Sequence, residues 1–332
     1  MTYRGRAAAG AVLLVFSGMF WALSRPGTPV RLVVPAGATL SDVADSLSAR
    51  GVIRNPTLFQ IYARVRRADR KLKAGTYDLE TGASWMVVVR QVTRGEVVTV
   101  PMTIPEGYRL SQMAGPIAEI TGESVEGVKA MLRAPGLAQR LDLPGPGIEG
   151  YVFPDTYRFA RGVPVPVVVD AMVARYRKVW TPKRAALLAE IGMSEREVVT
   201  LASIIQAEAR RSEEMPRISG VYHNRLEAGW HLEADPTVLY ALGGHRERLL
   251  FAAIDSVRDN PYNTYSNPRL PPGPIGSPGE LAIDAALAPD DHDFMYFVAW
   301  PDGSHVFTRS LAEHTAARKA AVRAREAARV GS

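Results

Sequence analysis

The longest apolar pattern in the chain lies near its start, from Ala7 to Ser24. These 18 residues contain no charge, and Arg4, Arg6 and Arg25 flank them. A helix of about this length just spans a bilayer. The run is long for the apolar part of a secretory signal peptide, and no convincing A-x-A cleavage site follows it. We therefore expect an uncleaved transmembrane anchor at residues 7–24. The flanking charges are nearly balanced and do not fix its orientation.

Shorter apolar patterns between residues 30 and 98 predict a small unit. Its order is strand, helix, helix, strand and a further short helix. Ser41 is expected to cap the first helix, and Asn55 the second, with Pro56 at its first position. The predicted elements are a strand at Val30–Val34, helices after Ser41 and Asn55, a strand at Gly75–Leu79 and a helix at Ser84–Thr93.

Residues 99–318 show helical periodicity interrupted by long loops rich in glycine and proline, which predicts a main domain of mixed α+β class. Residues 319–332 are rich in alanine, arginine and glutamate, and we expect an exposed helix without evident chemistry. The main-domain elements predicted are helices at Pro166–Val179, Pro182–Ile191, Ser194–Arg210 and Glu213–Leu226, and a hairpin formed by Met295–Trp300 and His305–Thr308.

One carboxylate stands out in the apolar stripe of the helix predicted at 194–210. Ser194 and Glu197 form a capping box that sets the start of this helix. At about 100° per residue, Glu208 lies about 20° from Leu201. A carboxyl group on this apolar side is costly to ionise, so it holds its proton near neutral pH and can act as a general acid. The alternative is a structural Glu208 paired with an arginine.

Three further segments combine aromatic and polar residues. They are 149–157 (EGYVFPDTY), the stretch from Asn224 to Thr237, and the segment from Asn260 to Gly279, which we call the proline-rich loop. A loop of this length is usually functional or disordered, and its tyrosines argue against disorder. Tyrosine rings stack on sugar faces and amides bind sugar hydroxyls, which favours a carbohydrate ligand. The alternative is a rigid surface loop whose tyrosines pack on the core.

The charge of the chain does not indicate a nucleic-acid partner. The 332 residues carry a net charge of +6, but the excess is dispersed. One basic cluster, at residues 64–73, follows a predicted helix. We interpret it as a solvated face or as a contact with an anionic polymer or a lipid head group.

The residue types also exclude several chemistries. The chain has no cysteine, which excludes disulfides, thiolate catalysis and cysteine-bound zinc. His223, His231, Glu233 and Asp235 lack the spacing of a zinc helix, HExxH. No lysine lies between residues 183 and 319, which argues strongly against a pyridoxal Schiff base sited here. We expect neither a metal nor an organic cofactor.

In this order, the anchor, the small N-terminal unit and six motifs resemble the membrane-anchored endolytic murein transglycosylases, the MltG or YceG-like family. The motifs are EGYVFPDTY, ASIIQAEA, NRL, DPTV, YNTY and LPPGPIGSPG. The resemblance implies a cytoplasmic N-terminus at residues 1–6, a single-pass anchor in the cytoplasmic membrane, a LysM-like subdomain at 30–98 and a catalytic domain at 99–318 that faces the cell wall. It implies lytic cleavage of the MurNAc–GlcNAc β-1,4 bond, leaving 1,6-anhydroMurNAc ends.

The resemblance also implies roles for single residues. Family members often carry two acidic residues in the signature helix, but Gln206 stands at the first position here, so the general acid and base falls to Glu208 alone. The implied partners are glycan strands, the membrane and cell-wall polymerases or transpeptidases. The candidates for substrate binding, or for ordering Glu208 and the loops, are Tyr262, Asn263, Tyr265, Asn224, Asp235, Glu149 and Tyr151.

Two alternatives to the lytic reaction stay open at this stage. The first is a peptidoglycan-binding scaffold without turnover, in which the LysM-like unit is the functional part. The second is a muramidase of lysozyme type, which needs a second carboxylate beside Glu208. Glu149, Asp155 and Asp235 are the candidates for that second group.

Overall fold

The computed structural model describes residues 27–35, 37–244 and 251–330. The predicted anchor at 7–24 and the segment at 1–6 lie outside the described residues. Among the helices of the described part, none is long and apolar enough to cross a membrane. The described chain divides into two compact units, the first reaching Val100 and including residues 159–161, and the second comprising the remainder.

The first unit has the predicted order of elements. They are β1 (Pro29–Val34), α1 (Leu40–Ala49), α2 (Pro56–Val65), β2 (Gly75–Glu80) and α3 (Trp85–Arg94). The two strands pair antiparallel, with Leu32 opposite Tyr77. Side chains alternate across a strand, so Leu32 and Val34 are buried in the core whereas Val33 between them is exposed.

The helix caps of the first unit agree with the sequence in one case and differ in the other. Asn55 caps α2 as predicted, because its side chain accepts a hydrogen bond from the Leu58 amide. Helix α1 begins two residues earlier than expected. Thr39, and not Ser41, forms a capping box with Asp42, whose carboxylate accepts from the Thr39 amide at 2.8 Å. The first turn therefore includes Ser41.

The second unit is mainly helical, and the predicted mixed α+β class is confirmed. Beyond the predicted hairpin it contains a small sheet of β3 and β4. The elements are β3 (Val100–Ile104), α4 (Leu110–Thr121), α5 (Val125–Leu132), α6 (Leu137–Arg140), β4 (Asp155–Phe159), α7 (Val165–Val179), α8 (Pro182–Ile191), α9 (Glu195–Glu208), a 3₁₀ turn (Ser212–Glu214), α10 (Met215–Glu227), α11 (Asp235–Ala241), α12 (Phe251–Ser256), α13 (Glu280–Leu287), β5 (Tyr296–Ala299), β6 (His305–Thr308) and α14 (Leu311–Val330).

Helix α9 lies in the core of the second unit. Its eight residues at 198–205 are all buried, since α10, α11 and α13 pack around it. The predicted capping box is present: the Ser194 hydroxyl accepts from the Glu197 amide, and the Glu197 carboxylate accepts from the Ser194 amide at 2.8 Å. The backbone turns extended at Ala209, so the helix ends at Glu208, two residues before the predicted end. The acid therefore occupies the last helical position.

Two side chains of α9 fix the proline-rich loop against it. The Ser203 hydroxyl accepts a hydrogen bond from the Ile275 amide at 3.0 Å, and the Gln206 side chain accepts one from the Gly279 amide at 2.9 Å. Asn263 within the loop is fully buried. Residues 273–279 of the loop are buried, whereas Ser266, Pro268 and Arg269 are exposed, so only part of the loop lies at the surface. Gln206 has a structural role in place of an acidic one.

The predicted C-terminal helix is confirmed, but it is not simply an exposed tail. Helix α14 runs without a break from Leu311 to Val330, across the expected domain boundary after residue 318. It contacts both strands of the β5–β6 hairpin, and Ala321 on its inner face is buried. One face of α14 thus belongs to the second unit.

Candidate active site

Glu208 lies in a cavity of about 670 Å³ in the second unit, a volume typical of ligand-binding sites. The ends of α9 and α10, the start of α11, the proline-rich loop, the β5–β6 hairpin and α14 contribute to its walls. Six residues that matter for the chemistry are Glu208, Tyr222, Arg225, Asp235, Tyr265 and Tyr296. We call this cavity the Glu208 cavity.

The environment of Glu208 makes its carboxyl group harder to ionise than a carboxyl group in water. The residue as a whole is half-buried, but protein atoms surround the carboxyl group, and this burial is the largest cause that raises its pKa to about 7. The negative charge of Asp235 raises the pKa further, while the Tyr222 hydroxyl, 3.3 Å from Oε1, and the Arg225 guanidinium oppose the rise. At neutral pH a large fraction of the Glu208 carboxyl groups therefore still carries a proton.

Asp235 and Glu233 also place carboxylates in the lining of the Glu208 cavity, and Asp235 is the one that was predicted as a site residue. It is exposed at the first position of α11. The Tyr265 hydroxyl donates a hydrogen bond of 2.6 Å to Asp235 Oδ1, and burial together with this carboxylate raises the pKa of Tyr265. Asp235 and Tyr265 were both predicted as site residues, and the structure brings them together with Glu208.

Threonine hydroxyls join α11 to the proline-rich loop and so hold Asp235 beside Tyr265. The Thr237 and Thr264 hydroxyls lie 2.8 Å apart, and the Thr264 hydroxyl also accepts from the Ala234 amide at 3.0 Å. The Thr237 hydroxyl, the Thr264 hydroxyl and the Ala234 amide are all buried. The DPTV and YNTY motifs, distant in sequence, thus form one rigid corner of the cavity.

Three predicted substrate-binding residues are buried or braced inside the protein. The Asn263 amide donates to the carbonyls of Ile254 and Val257, and its oxygen accepts from the Tyr265 amide. Because its polar atoms are engaged and it is fully buried, Asn263 cannot contact a sugar; it positions Tyr265. The Asn224 amide donates to the carbonyls of residues 292 and 294, so it holds the segment before β5.

Tyr151 is the third of these residues. It is fully buried and packs edge-on against Tyr176, with ring centroids 5.3 Å apart. Its hydroxyl finds no hydrogen-bond partner within the part of the chain that the structure describes. The expectation that Tyr151 contacts substrate is therefore wrong, because its ring is part of the hydrophobic core.

Glu149 and Tyr262 line a second cavity of about 500 Å³, which shares no lining residue with the Glu208 cavity. Glu149 accepts hydrogen bonds from the Leu110 amide at 2.9 Å and from the Tyr240 hydroxyl at 3.4 Å. Burial raises the pKa of Glu149 to about 7, against the opposing effect of these bonds and of Arg109. Glu149 caps the start of α4, and it is separated from Glu208.

The remaining candidate for a second carboxylate, Asp155, also lies elsewhere. It forms an ion pair of 2.7 Å with Arg175 and lines a shallow depression with residues of β3 and α13. Of the three carboxylates considered from the sequence, only Asp235 shares the cavity of Glu208. Among the described residues, no three metal-binding side chains converge on one point.

The sequence did not reveal Tyr222 or the aromatic wall around Tyr296. Tyr222 and Arg225 are three residues apart on α10 and therefore face the same side, which is a signal that could have linked Tyr222 to the NRL motif. Tyr296 lies under the Arg225 guanidinium, 5.5 Å from its ring centroid, and stacks on His314 at 5.0 Å. No local pattern predicts that α14 reaches this wall.

Two known proteins with similar sequence are endolytic murein transglycosylases. The endolytic murein transglycosylase of Bacillus subtilis (strain 168) is 32% identical over 308 residues, which cover 88% of this chain and 84% of that protein. The endolytic murein transglycosylase of Streptococcus pneumoniae serotype 2 (strain D39) is 28% identical over 322 residues, which cover 86% of this chain and 58% of that protein.

Similarity extends to a crystal structure of a YceG-like protein from Listeria monocytogenes. The TM-score is 0.60 at 31% identity, covering 87% of this chain and 99% of the other. The YceG-like family profile matches residues 32–320. The resemblance predicted from the motifs is thus confirmed, and the chain belongs to the YceG-like family, whose curated relatives matched here are endolytic murein transglycosylases.

Proposed function

We propose that the chain is a peptidoglycan lytic transglycosylase that cleaves the MurNAc–GlcNAc β-1,4 bond within glycan strands. The observation that carries the proposal is Glu208, a carboxylic acid whose surroundings raise its pKa to about 7 inside a cavity of ligand size. The names of the relatives give the substrate class and the type of cleavage.

In the proposed reaction Glu208 acts twice. Its carboxyl proton goes to the glycosidic oxygen as the bond from C1 to that oxygen breaks. The C6 hydroxyl of the same MurNAc then forms a bond to C1, and its proton returns to the Glu208 carboxylate. No water is consumed, so the new end is 1,6-anhydroMurNAc and the enzyme recovers its starting protonation state.

Asp235 and Tyr222 support Glu208 without transferring a proton in this scheme. The charge of Asp235 disfavours ionisation of Glu208 before the reaction, and it favours the positive charge that develops at C1. The Tyr222 hydroxyl donates to Glu208 Oε1 and stabilises the carboxylate left after proton transfer. Tyr265 and Tyr296 offer rings on the cavity wall for stacking on the sugars.

The pH dependence tests this division of roles. With Glu208 as the acid, kcat/KM should fall as the pH rises through about 7, because the proton donor is lost. Asp235→Asn removes a charge that raises the pKa of Glu208, so the alkaline limb should move to lower pH. A pH profile of the variant that keeps its alkaline limb in place would contradict the role given to Asp235.

The products of digestion test the proposed reaction itself. Purified peptidoglycan incubated with the wild-type chain should release fragments whose mass is lower by one water than that of the hydrolysis products. Fragments with the full mass would instead support a muramidase of lysozyme type with Asp235 as the second carboxylate. Tight binding without any released fragment would support the scaffold alternative.

The N-terminal part completes the proposal. We infer that residues 1–6 are cytoplasmic, that residues 7–24 anchor the chain in the cytoplasmic membrane, and that the catalytic domain lies on the outer side. The strand, helix, helix, strand order of the first unit supports a LysM-like role in holding glycan. Cell-wall polymerases and transpeptidases are the protein partners that this location makes accessible.

A further inference from the structure

Helix α14 brings a row of basic side chains to the Glu208 cavity. Arg318 and Arg325 both line the cavity, as does His314. Two turns of helix separate the arginines, so they project from the same face of α14. The carboxylates of the cavity, Glu208, Glu233 and Asp235, come from other walls, together with Arg225 of α10, so α14 forms a separate, basic side of the cavity.

The charges of these two arginines are not used to stabilise the fold. Arg318 is exposed, and among the described residues it has no hydrogen bond or ion pair. The Arg325 Nη2 donates to the Ala299 carbonyl at 3.0 Å, which directs the guanidinium across β5. Neither arginine has a carboxylate within ion-pair distance in the described part of the chain.

The packing of α14 gives this basic row a fixed position. Ala321 is buried against the hairpin, and His314 stacks on Tyr296 with ring planes 26° apart. The Tyr296 ring in turn packs against the guanidinium of the buried Arg225, which donates hydrogen bonds to the carbonyls of Leu232 and Met295. These contacts hold Arg318 and Arg325 of α14 in place in the lining of the Glu208 cavity.

Two guanidinium groups in the lining of the proposed glycan site, unpaired within the described residues, are suited to bind an anionic group of the substrate. A glycan strand with intact stem peptides has no free lactyl carboxylate, so its anionic groups are the carboxylates of those peptides. Arginine binds carboxylates through paired N–H donors. We propose that Arg318 and Arg325 bind a stem-peptide carboxylate and thereby make the enzyme prefer strands that carry it, an inference that rests on the proposed function.

The test compares two forms of one substrate. Uncross-linked glycan strands are acetylated on their amines, and half of the sample is then amidated on its carboxylates. The full-length wild-type chain, with detergent in every sample, should cleave the carboxylate form with a kcat/KM about fivefold higher, since exposed ion pairs have modest strength. In Arg318→Gln this ratio should fall to about twofold, and high salt should reduce the wild-type ratio as well.

Arg323→Gln is the matched control, because Arg323 is on the same helix and does not line the cavity. It should keep the wild-type ratio. Equal cleavage of both strands by the wild type, or an equal loss of ratio in the control, would overturn the inference. Sedimentation of Glu208→Gln with each strand measures the same preference as binding. If the wild type cut neither strand, the proposed function would fail, and this binding ratio would still decide the inference.

Discussion

Glu208→Gln should lower kcat/KM for the release of anhydro-ended fragments by about a thousandfold or more. Glutamine is close to glutamic acid in size but can neither give a proton to the leaving oxygen nor accept one from the C6 hydroxyl. Both proposed steps lose their catalyst. The measurement is the rate of fragment release from purified glycan strands, followed by mass, at a pH below 7.

A control variant and a test of folding show whether the lower rate of Glu208→Gln comes from the missing acid and not from a misfolded protein. Glu213→Gln changes an exposed carboxylate in the turn after α9 and should leave the rate unchanged. The Glu208→Gln protein should also remain folded. The pKa of Glu208 rises from 4.5 to about 7 on folding, so its ionisation destabilises the native state between these values. The variant should match the wild type below pH 4.5 and unfold less readily at pH 8. Substantial residual turnover in a folded variant would remove Glu208 from its role.

Arg225→Met should lower the free energy of unfolding by about 3 kcal/mol, because it removes a buried charge that holds three segments together. The Arg225 side chain is 8% exposed. It donates to the Met295 carbonyl at 2.8 Å and the Leu232 carbonyl at 2.6 Å. Methionine fills similar space but leaves both carbonyls without this donor. Denaturant unfolding of variant and wild type at equal pH measures the difference.

Arg217→Met provides the matched control on the same helix, α10. Arg217 is exposed and pairs with Asp290 at 3.9 Å, so its loss should cost less than about 1 kcal/mol. Equal destabilisation by the two substitutions would show that the bonds of Arg225 to the loop and to the segment before β5 contribute little. It would also weaken the view that Arg225 supports the wall under Tyr296.

The position of Glu208 on the apolar side of α9 could be predicted because the signals for it are local. A capping box fixed the first turn of α9, and helical periodicity then placed Glu208 on the apolar side. The structure moves the helix end by two residues only, since the backbone at Ala209 leaves helical geometry. The cause of the raised pKa, burial, was also inferred from the apolar stripe, whereas the added effect of Asp235 required the fold.

The sugar-binding candidates were harder to predict, because side-chain direction in an irregular loop depends on tertiary contacts. Tyr262 and Tyr265 are three residues apart but line different cavities. Asn263 between them is drawn inward by the carbonyls of α12 and the following turn. The alternation of tyrosine and asparagine suggested one binding surface. In the structure Asn263 is the buried anchor of the segment, and the two tyrosines beside it point in different directions.

The order of the elements along the chain has a consequence for timing. Ribosomes make α9 and its acid long before α14, yet α14 supplies the basic side of the Glu208 cavity. A nascent polypeptide that has emerged only as far as β6 already contains Glu208 but lacks the wall of the cavity that α14 forms. The Glu208 cavity is therefore complete only after α14 has been made and has packed against the β5–β6 hairpin.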